Sequence, residues 1–243
     1  MNFELIYRRF SERSILIEWA QEIDEYILKD VLFFKNSLLD LDDKLILQIN
    51  TAYNSLLIIY QSTIDNVNDE ILTLKSHYIN RKVVKKPITT LFKIPVCYDE
   101  EFGLDLIAIS EEKKMPIPEI IKRHSQPVYT VFFIGFLPGF LYLGGLDEQL
   151  HFPRKKSPRL QIKKGAVAIG GSQTGIYPNE SPGGWNVIGN SPVELFLPKK
   201  KEPCFAKAGD KIQFVPVSKT VYDSIVLQIK QDKYSIESEV IDD

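Results

Sequence analysis

The chain has 243 residues, enough for one large domain or two smaller ones, and we expect two. Its 30 basic and 32 acidic side chains leave a formal net charge of −2, which argues against nucleic acid or an anionic membrane surface as a partner. The two cysteines, Cys97 and Cys204, stand far apart, which argues against a disulfide scaffold or a zinc site and indicates a reducing compartment.

The N-terminal segment does not have the pattern of an export signal. Its first ten residues include Glu4, Arg8 and Arg9 and lack an apolar core, so the chain is predicted to be cytoplasmic. The uncharged run from Gln126 to Leu146 has the length of a membrane span. Its prolines and paired glycines would break hydrogen bonds that lipid requires, so we expect a buried strand and a turn-rich loop instead.

The N-terminal third predicts strands alternating with two amphipathic helices. The helices are expected over Glu22 to Leu39 and Asp69 to Arg81, because apolar residues recur there at helical spacing. The expected strands are Phe3 to Tyr7, Ser14 to Glu18, Leu45 to Ile49, Leu56 to Tyr60 and Leu91 to Pro95. The order ββαββαβ predicts a small open-faced sandwich with both helices on one face of an antiparallel sheet.

The basic run from Arg81 to Pro87 is the expected junction, which gives an N-terminal domain of residues 1–86 and a second domain of residues 87–243. The second domain should begin with a short helix from Pro118 to Arg123 and continue as strands. These strands are predicted at Val128 to Phe136, Ala166 to Ile169, Val193 to Leu197, Lys211 to Val215 and Ile225 to Ile229. Short strands separated by Gly, Pro and Asn turns indicate an all-β barrel or sandwich.

Glycine is concentrated in one stretch of the second domain. No glycine precedes Gly103, and eleven of the thirteen lie between Gly135 and Gly189. Glycine permits tight turns and close approaches to a ligand, so we expect any chemistry between His124 and Pro192. The sequence has no P-loop, no dinucleotide fingerprint, no zinc-protease motif and no serine nucleophile elbow.

An aromatic and glycine-rich segment, Phe136 to Gly145, follows the first strand of that stretch. Its aromatics could wall a pocket, or they could fill the end of a barrel as a buried hairpin. Arg154 and Arg159 each follow a proline, which limits where their guanidinium groups point. Two such groups suit a carboxylate or a phosphate, although a pair of surface arginines would have the same pattern.

A second polar segment lies among the later glycines. Gln173 can hydrogen-bond both ways to an amide, Tyr177 can donate to an oxyanion, and Trp185 can stack on a small ligand. These motifs occur in the order and spacing of one family. They are Pro95 to Tyr98, Phe102 to Leu106, Tyr142 to Leu146, the Pro-Arg pairs, Gln173 to Pro178 and Ser181 to Trp185. The chain resembles the 5-oxoprolinase B-subunit family, also described as allophanate hydrolase subunit 1 or KipI-like kinase inhibitors.

The resemblance implies an α+β chain, with a small antiparallel α/β sandwich of ferredoxin-like type followed by a cyclophilin-like β-barrel. It also implies an activity. The B-subunit would act with two partners, a homologous C-subunit plus a separate A-subunit, to open the lactam of 5-oxoproline to L-glutamate, using ATP. The isolated chain is then expected to be inactive, and no metal is expected.

Site roles follow from the same resemblance. Arg154 and Arg159 are expected to hold the substrate carboxylate or a phosphoryl group, and Trp185 to bind the substrate. Gln173 and Tyr177 are expected to contact the lactam, and His124 is expected to shuttle a proton. The family often has glycines where this chain has Asp99 and Glu100, and an arginine where it has Asn190, which weakens transfer of the substrate more than of the fold.

Two other functions remain open at the level of sequence. KipI-like members inhibit a sporulation sensor histidine kinase through a protein surface. Other relatives act on urea or allophanate, whose planar amides resemble a lactam.

Overall fold

The computed structural model describes residues 3–41, 45–81 and 88–241, and the chain divides into two compact units, residues 1–87 and 88–243. Apart from Arg81, the predicted junction lies outside the described residues. Both units mix helices and strands, which confirms the α+β class.

The described residues of the N-terminal unit form a four-stranded antiparallel sheet and two helices. Its elements are β1 (Ile6–Ser11), β2 (Ser14–Glu18), α1 (Glu25–Leu39), β3 (Ile46–Thr51), β4 (Ser55–Tyr60) and α2 (Val67–Asn80). The strands lie in the order β1-β2-β4-β3. Both helices have side-chain caps at their N-termini, because Asp24 and Asn66 accept the backbone N–H groups of the first turn.

One face of this sheet forms the core with both helices, as predicted. Alternate strand residues point into that core, because successive side chains of a strand face opposite sides. The buried members are Ile15, Ile17, Ile49, Leu56, Ile58 and Tyr60 from the strands and Ile27, Val31, Phe34, Leu38, Leu74 and Tyr78 from the helices. The element order is ββαββα, and a ferredoxin-like unit has βαββαβ, so that description is not confirmed.

The expected fifth strand exists but belongs to the other unit. Strand β5 (Thr89–Val96) pairs in parallel with β13 (Lys211–Pro216) and antiparallel with β14 (Glu237–Ile241). The prediction that it completes the N-terminal sheet is therefore wrong. Its apolar pattern specified a strand, but the partners of a strand are set by residues far along the chain.

Between residues 88 and 241, the second unit contains β5, β13, β14 and eleven further elements. These are α3 (Leu106–Lys113), α4 (Ile117–Ser125), β6 (Val128–Ile134), β7 (Leu141–Gly144), a short 3-10 helix (Glu148–Leu150), β8 (Arg159–Ile162), β9 (Ala166–Gly170), β10 (Gln173–Ile176), β11 (Ser181–Gly183), β12 (Asn186–Asn190) and α5 (Lys219–Lys230). Eight strands form one sheet in the order β12-β9-β10-β7-β6-β13-β5-β14, and β11 pairs with β8.

The large sheet curves round until two distant strands meet. Cys97, directly after β5, and Asn190, at the end of β12, exchange two backbone hydrogen bonds of 2.9 Å. In the order of the sheet, β12 and β5 are the first and last of seven consecutive strands. The curved sheet agrees with the predicted all-β core, while the cyclophilin-like description stays a prediction.

The predicted helix and the strands β6, β9 and β13 are confirmed, and two predicted strands are wrong. Val193 to Leu197 contains only an isolated bridge at Phe196. Ile225 to Ile229 lies inside α5, where Ser218 accepts the N–H of Val221 as an N-terminal cap. A short apolar run is compatible with a strand or a helix, and the capping serine favours the helix.

The uncharged run from Gln126 to Leu146 forms the β6–β7 hairpin. Throughout residues 3–41, 45–81 and 88–241, none of the helices combines the length and apolar character needed to cross a bilayer.

Candidate functional site

Arg154 lies on an extended segment whose backbone is fixed on both sides. Before it, Phe152 and Gly171 exchange two backbone hydrogen bonds of 3.0 and 2.7 Å. After it, the N–H of Lys155 donates to the carbonyl of Gly184 at 2.7 Å. These bonds tie the segment to the β9–β10 turn and to the chain between β11 and β12. The Cα of Arg154 is therefore held in place although its side chain is exposed.

The guanidinium of Arg154 lies over Trp185, 5.6 Å from the ring centroid, and donates a long hydrogen bond of 3.4 Å to Oε1 of Gln173. In the part of the chain that the structure describes, it has no carboxylate partner. An arginine on an aromatic face, beside an amide and without a counter-ion, is suited to bind a planar anion.

Trp185 forms the floor of this arrangement. Its side chain is buried and meets Phe140 edge-to-face, with centroids 5.5 Å apart. Its indole lies directly on strand β9, since a Cβ at Gly170 would come within 2.5 Å of the ring. A glycine at this position is therefore needed for the indole to lie where Arg154 can cover it.

Tyr177 lies below this floor and not at the surface. Its ring is buried, meets Phe140 edge-to-face at 5.4 Å and belongs to the same buried apolar cluster as Trp185. Burial raises the pKa of the Tyr177 phenol, and a Cβ at Gly183 would come within 2.4 Å of its oxygen. The predicted role of donating to an oxyanion has no support from this position, and Tyr177 instead supports Trp185 from beneath.

Arg159 is engaged by the protein itself. It makes two parallel hydrogen bonds to the carboxylate of Asp105, at 2.7 and 2.9 Å. The same carboxylate accepts the Nζ of Lys155 at 2.7 Å and the backbone N–H of Val187 at 2.7 Å. Burial alone would raise the pKa of Asp105, but these hydrogen bonds outweigh it and the pKa is lowered. The guanidinium of Arg159 therefore already holds a carboxylate.

The sequence does not single out Asp105, although this residue lies within the motif Phe102 to Leu106. An isolated aspartate before a helix is typical of a cap. Its three partners lie 50 or more residues further along the chain, so no local pattern connects them.

His124 is fully buried at the end of α4. Its Nε2 lies 2.8 Å from Oγ1 of Thr174 and its Nδ1 lies 2.7 Å from the hydroxyl of Tyr98. Thr174 donates its own proton to the carbonyl of Ala168, so Nε2 of His124 carries a hydrogen and Nδ1 accepts from Tyr98. Desolvation lowers the pKa of His124 to about 3. This neutral, enclosed ring gives no support to the predicted proton shuttle.

The structure therefore brings Arg154, Gln173 and Trp185 together, with the exposed Arg154 above the buried Trp185, and we refer to these three residues as the Arg154 cluster. Tyr177 lies beneath it. His124 lies behind it, bonded to Thr174, which follows Gln173 on β10. Two open cavities of about 470 and 330 Å³ lie elsewhere, around Pro203 and around Pro127.

The aromatic segment Phe136 to Gly145 forms the turn and second strand of the β6–β7 hairpin. Phe140 is buried beneath Trp185, while Phe136 is exposed and has a φ of 63°. The segment thus contributes a filled core under the Arg154 cluster. Of the residues that the structure describes, no group of three His, Cys, Asp or Glu side chains could hold a metal ion.

Asn186 also fixes the Arg154 segment, because its Nδ2 donates to the carbonyls of Pro153 at 2.8 Å and Ile169 at 3.3 Å. Replacing Asn186 with alanine leaves both carbonyls without this donor, and we expect a loss of about 1 to 3 kcal/mol in the free energy of unfolding. Thermal or urea unfolding measures it. The matched control is Asn80→Ala, an exposed asparagine whose Nδ2 also donates to a carbonyl, with an expected change within about 0.5 kcal/mol. Equal effects of the two variants would contradict this role of Asn186.

Comparison with known proteins agrees with the motifs. The family model described as carboxyltransferase domain, subdomain C and D, matches residues 5–206. The 5-oxoprolinase B-subunit of Bacillus subtilis is 38% identical over 67% of this chain and 65% of its own length. That of Haemophilus influenzae is 47% identical over 51% of this chain and 58% of its own length. The chain thus spans less than two thirds of these relatives.

A solved structure shows the same fold. The urea amidolyase of Kluyveromyces lactis superposes with a TM-score of 0.81 at 19% identity, over 99% of this chain and 16% of that protein. At this identity the likeness concerns the fold alone.

Proposed function

Because the chain belongs to the carboxyltransferase-domain family of subdomains C and D, we propose that it is one component of an ATP-dependent 5-oxoprolinase, which opens the lactam of 5-oxo-L-proline to L-glutamate. The relatives named as 5-oxoprolinase B-subunits support this choice of substrate within the family. The observation that carries it is the Arg154 cluster.

The cluster matches the substrate group by group. The guanidinium of Arg154 forms two hydrogen bonds to the 5-oxoproline carboxylate, each worth about 1.5 to 3 kcal/mol where water is excluded. The Gln173 amide pairs with the lactam N–H and carbonyl, and the buried Trp185 ring supports the Arg154 guanidinium from below. Tyr177 packs beneath Trp185, and His124 is hydrogen-bonded to Thr174. Both residues thereby position the cluster from the protein interior.

The reaction needs activation because amide resonance makes a lactam a poor electrophile. In the proposed sequence the lactam oxygen takes the γ-phosphoryl group of ATP, and ADP leaves. Water then adds to the activated carbon, the C–N bond breaks, and a second water releases phosphate to give glutamate. The chain has no P-loop, so we assign ATP binding to the complex and not to this chain by itself.

A partner is part of the proposal, because Arg154 is exposed and an activated intermediate must be shielded from water. The C-subunit, which is the homologous barrel protein, would complete and cover the site together with the A-subunit, in the cytoplasm where ATP is supplied. The chain alone should then be inactive.

The test is to co-express the chain with its two partner proteins and to measure glutamate release with and without ATP. We expect ATP-dependent release from the complex and none from the isolated chain. Equal rates from the isolated chain and the complex would refute the proposal. Turnover of urea or allophanate in place of 5-oxoproline would favour the amide-hydrolase alternative, and inhibition of a sensor histidine kinase that survives Arg154→Ala would favour the inhibitor alternative.

A further inference from the structure

Four cations occur within six residues of the segment that carries the candidate site: Arg154, Lys155, Lys156 and Arg159. One carboxylate, Asp105, binds two of them. Lys155 reaches it at 2.7 Å, and Arg159 reaches it with both terminal nitrogens. The middle of the segment is thereby attached to the start of α3, a part of the chain about 50 residues away in sequence.

The Asp105 carboxylate is saturated by these contacts. It is 3% exposed, and its fourth hydrogen bond comes from the backbone N–H of Val187 on β12, two residues after Trp185. Each oxygen thus accepts two donors, which is the arrangement that stabilises a buried carboxylate. Asp105 therefore joins the segment that carries Arg154 to the strand that begins beside Trp185.

We propose that Asp105 is a positioning residue for the anion site at Arg154: it withdraws Lys155 and Arg159 onto its own carboxylate and leaves one guanidinium to face the ligand. The proposal rests on the proposed function and adds how the site is built. Of the two arginines in this segment, Arg154 alone has no carboxylate partner among the described residues, and one such guanidinium matches a substrate with one carboxylate, such as 5-oxoproline. If Asp105 is replaced by a neutral residue, Lys155 and Arg159 lose their shared carboxylate. The segment that fixes Arg154 then loses one of its attachments.

The kinetic test is Asp105→Asn in the assembled complex. Asparagine keeps the size of the side chain and an oxygen for the Val187 N–H, but it loses both ion pairs. We expect the KM for 5-oxoproline to rise about tenfold with kcat within about twofold, because carboxylate binding is made equally in the ground and transition states. Asp105→Glu, which keeps the charge, should recover most of the affinity. The matched control, Asp147→Asn, removes a partner of Arg123 elsewhere and should leave both constants unchanged.

A purely structural role would give a different pattern. If Asp105→Asn lowers kcat in proportion to the folded fraction while KM stays at the wild-type value, the proposal is wrong. It is also wrong if Asp105→Glu and Asp105→Asn raise KM equally.

A second readout does not depend on turnover. We expect the amides of Lys155 and Val187 to exchange hydrogen faster in Asp105→Asn than in the wild-type chain, because their segments lose a shared anchor. Unchanged exchange at both amides would overturn the positioning role. If the wild-type complex does not turn over 5-oxoproline, the proposed function fails, and the exchange measurement still tests Asp105 by itself.

Discussion

Replacing Arg154 with alanine should lower kcat/KM for 5-oxoproline in the assembled complex by about 100-fold, equivalent to about 2.7 kcal/mol of binding. The change removes the guanidinium of Arg154, which has no carboxylate partner among the described residues. Its loss should be seen mainly in KM. The melting temperature should hardly change, because the side chain is exposed and forms no ion pair among the residues that the structure describes.

Two further variants sharpen this test. Arg154→Lys keeps the charge but not the planar pair of donors, so we expect an intermediate loss of about tenfold. Lys156→Ala removes an exposed cation two residues away and should leave kcat/KM unchanged. If Arg154→Ala and Lys156→Ala have the same kinetics as the wild-type complex, Arg154 does not bind the substrate.

Replacing His124 with alanine should cost about 3 to 5 kcal/mol of stability, the usual range for deleting a large buried ring. The ring is fully buried, stacks on Phe214 with centroids 4.6 Å apart, and satisfies both Tyr98 and Thr174. Urea unfolding followed by near-UV circular dichroism measures the loss. His124→Gln, which can keep part of the hydrogen bonding, should lose less. A loss below about 1 kcal/mol for the alanine variant would contradict the buried, hydrogen-bonded geometry.

The same residue gives a pH dependence with a definite sign. Desolvation lowers the pKa of His124 from 6.5 to about 3, so between these values the unfolded chain binds a proton that the folded chain does not. The stabilisation from the neutral ring is complete above pH 6.5 and is lost as the pH falls toward 3. The slope for one proton is about 1.4 kcal/mol per pH unit, and the difference between the wild type and His124→Gln isolates it. Parallel pH profiles would contradict this assignment.

Local elements are predictable from the sequence where their signals are local. Helix α1 and strand β2 follow from spacing and from β-branched residues, and α4 follows from Pro118 in its first turn. The partner of β5 is not predictable, because it lies more than 100 residues further along the chain. Strands β10 and β11 have the composition of loops, since their glycines and polar residues hide a strand pattern.

In the candidate site, too, local features are predictable from the sequence and long-range contacts are not. Arg154, Gln173 and Trp185 can be selected by residue type and spacing, and the structure brings them together. Arg159 has the same chemistry as Arg154, and only the fold shows that Asp105 occupies it. Sequence alone cannot distinguish an arginine that is available to a ligand carboxylate from one that already binds a carboxylate of its own chain.

A crystal structure of the assembled complex with 5-oxoproline bound tests the central claim most directly. We predict the substrate carboxylate within about 3 Å of both terminal nitrogens of Arg154, with the lactam beside Gln173. Substrate bound elsewhere, with the Arg154 guanidinium in open solvent, would contradict it.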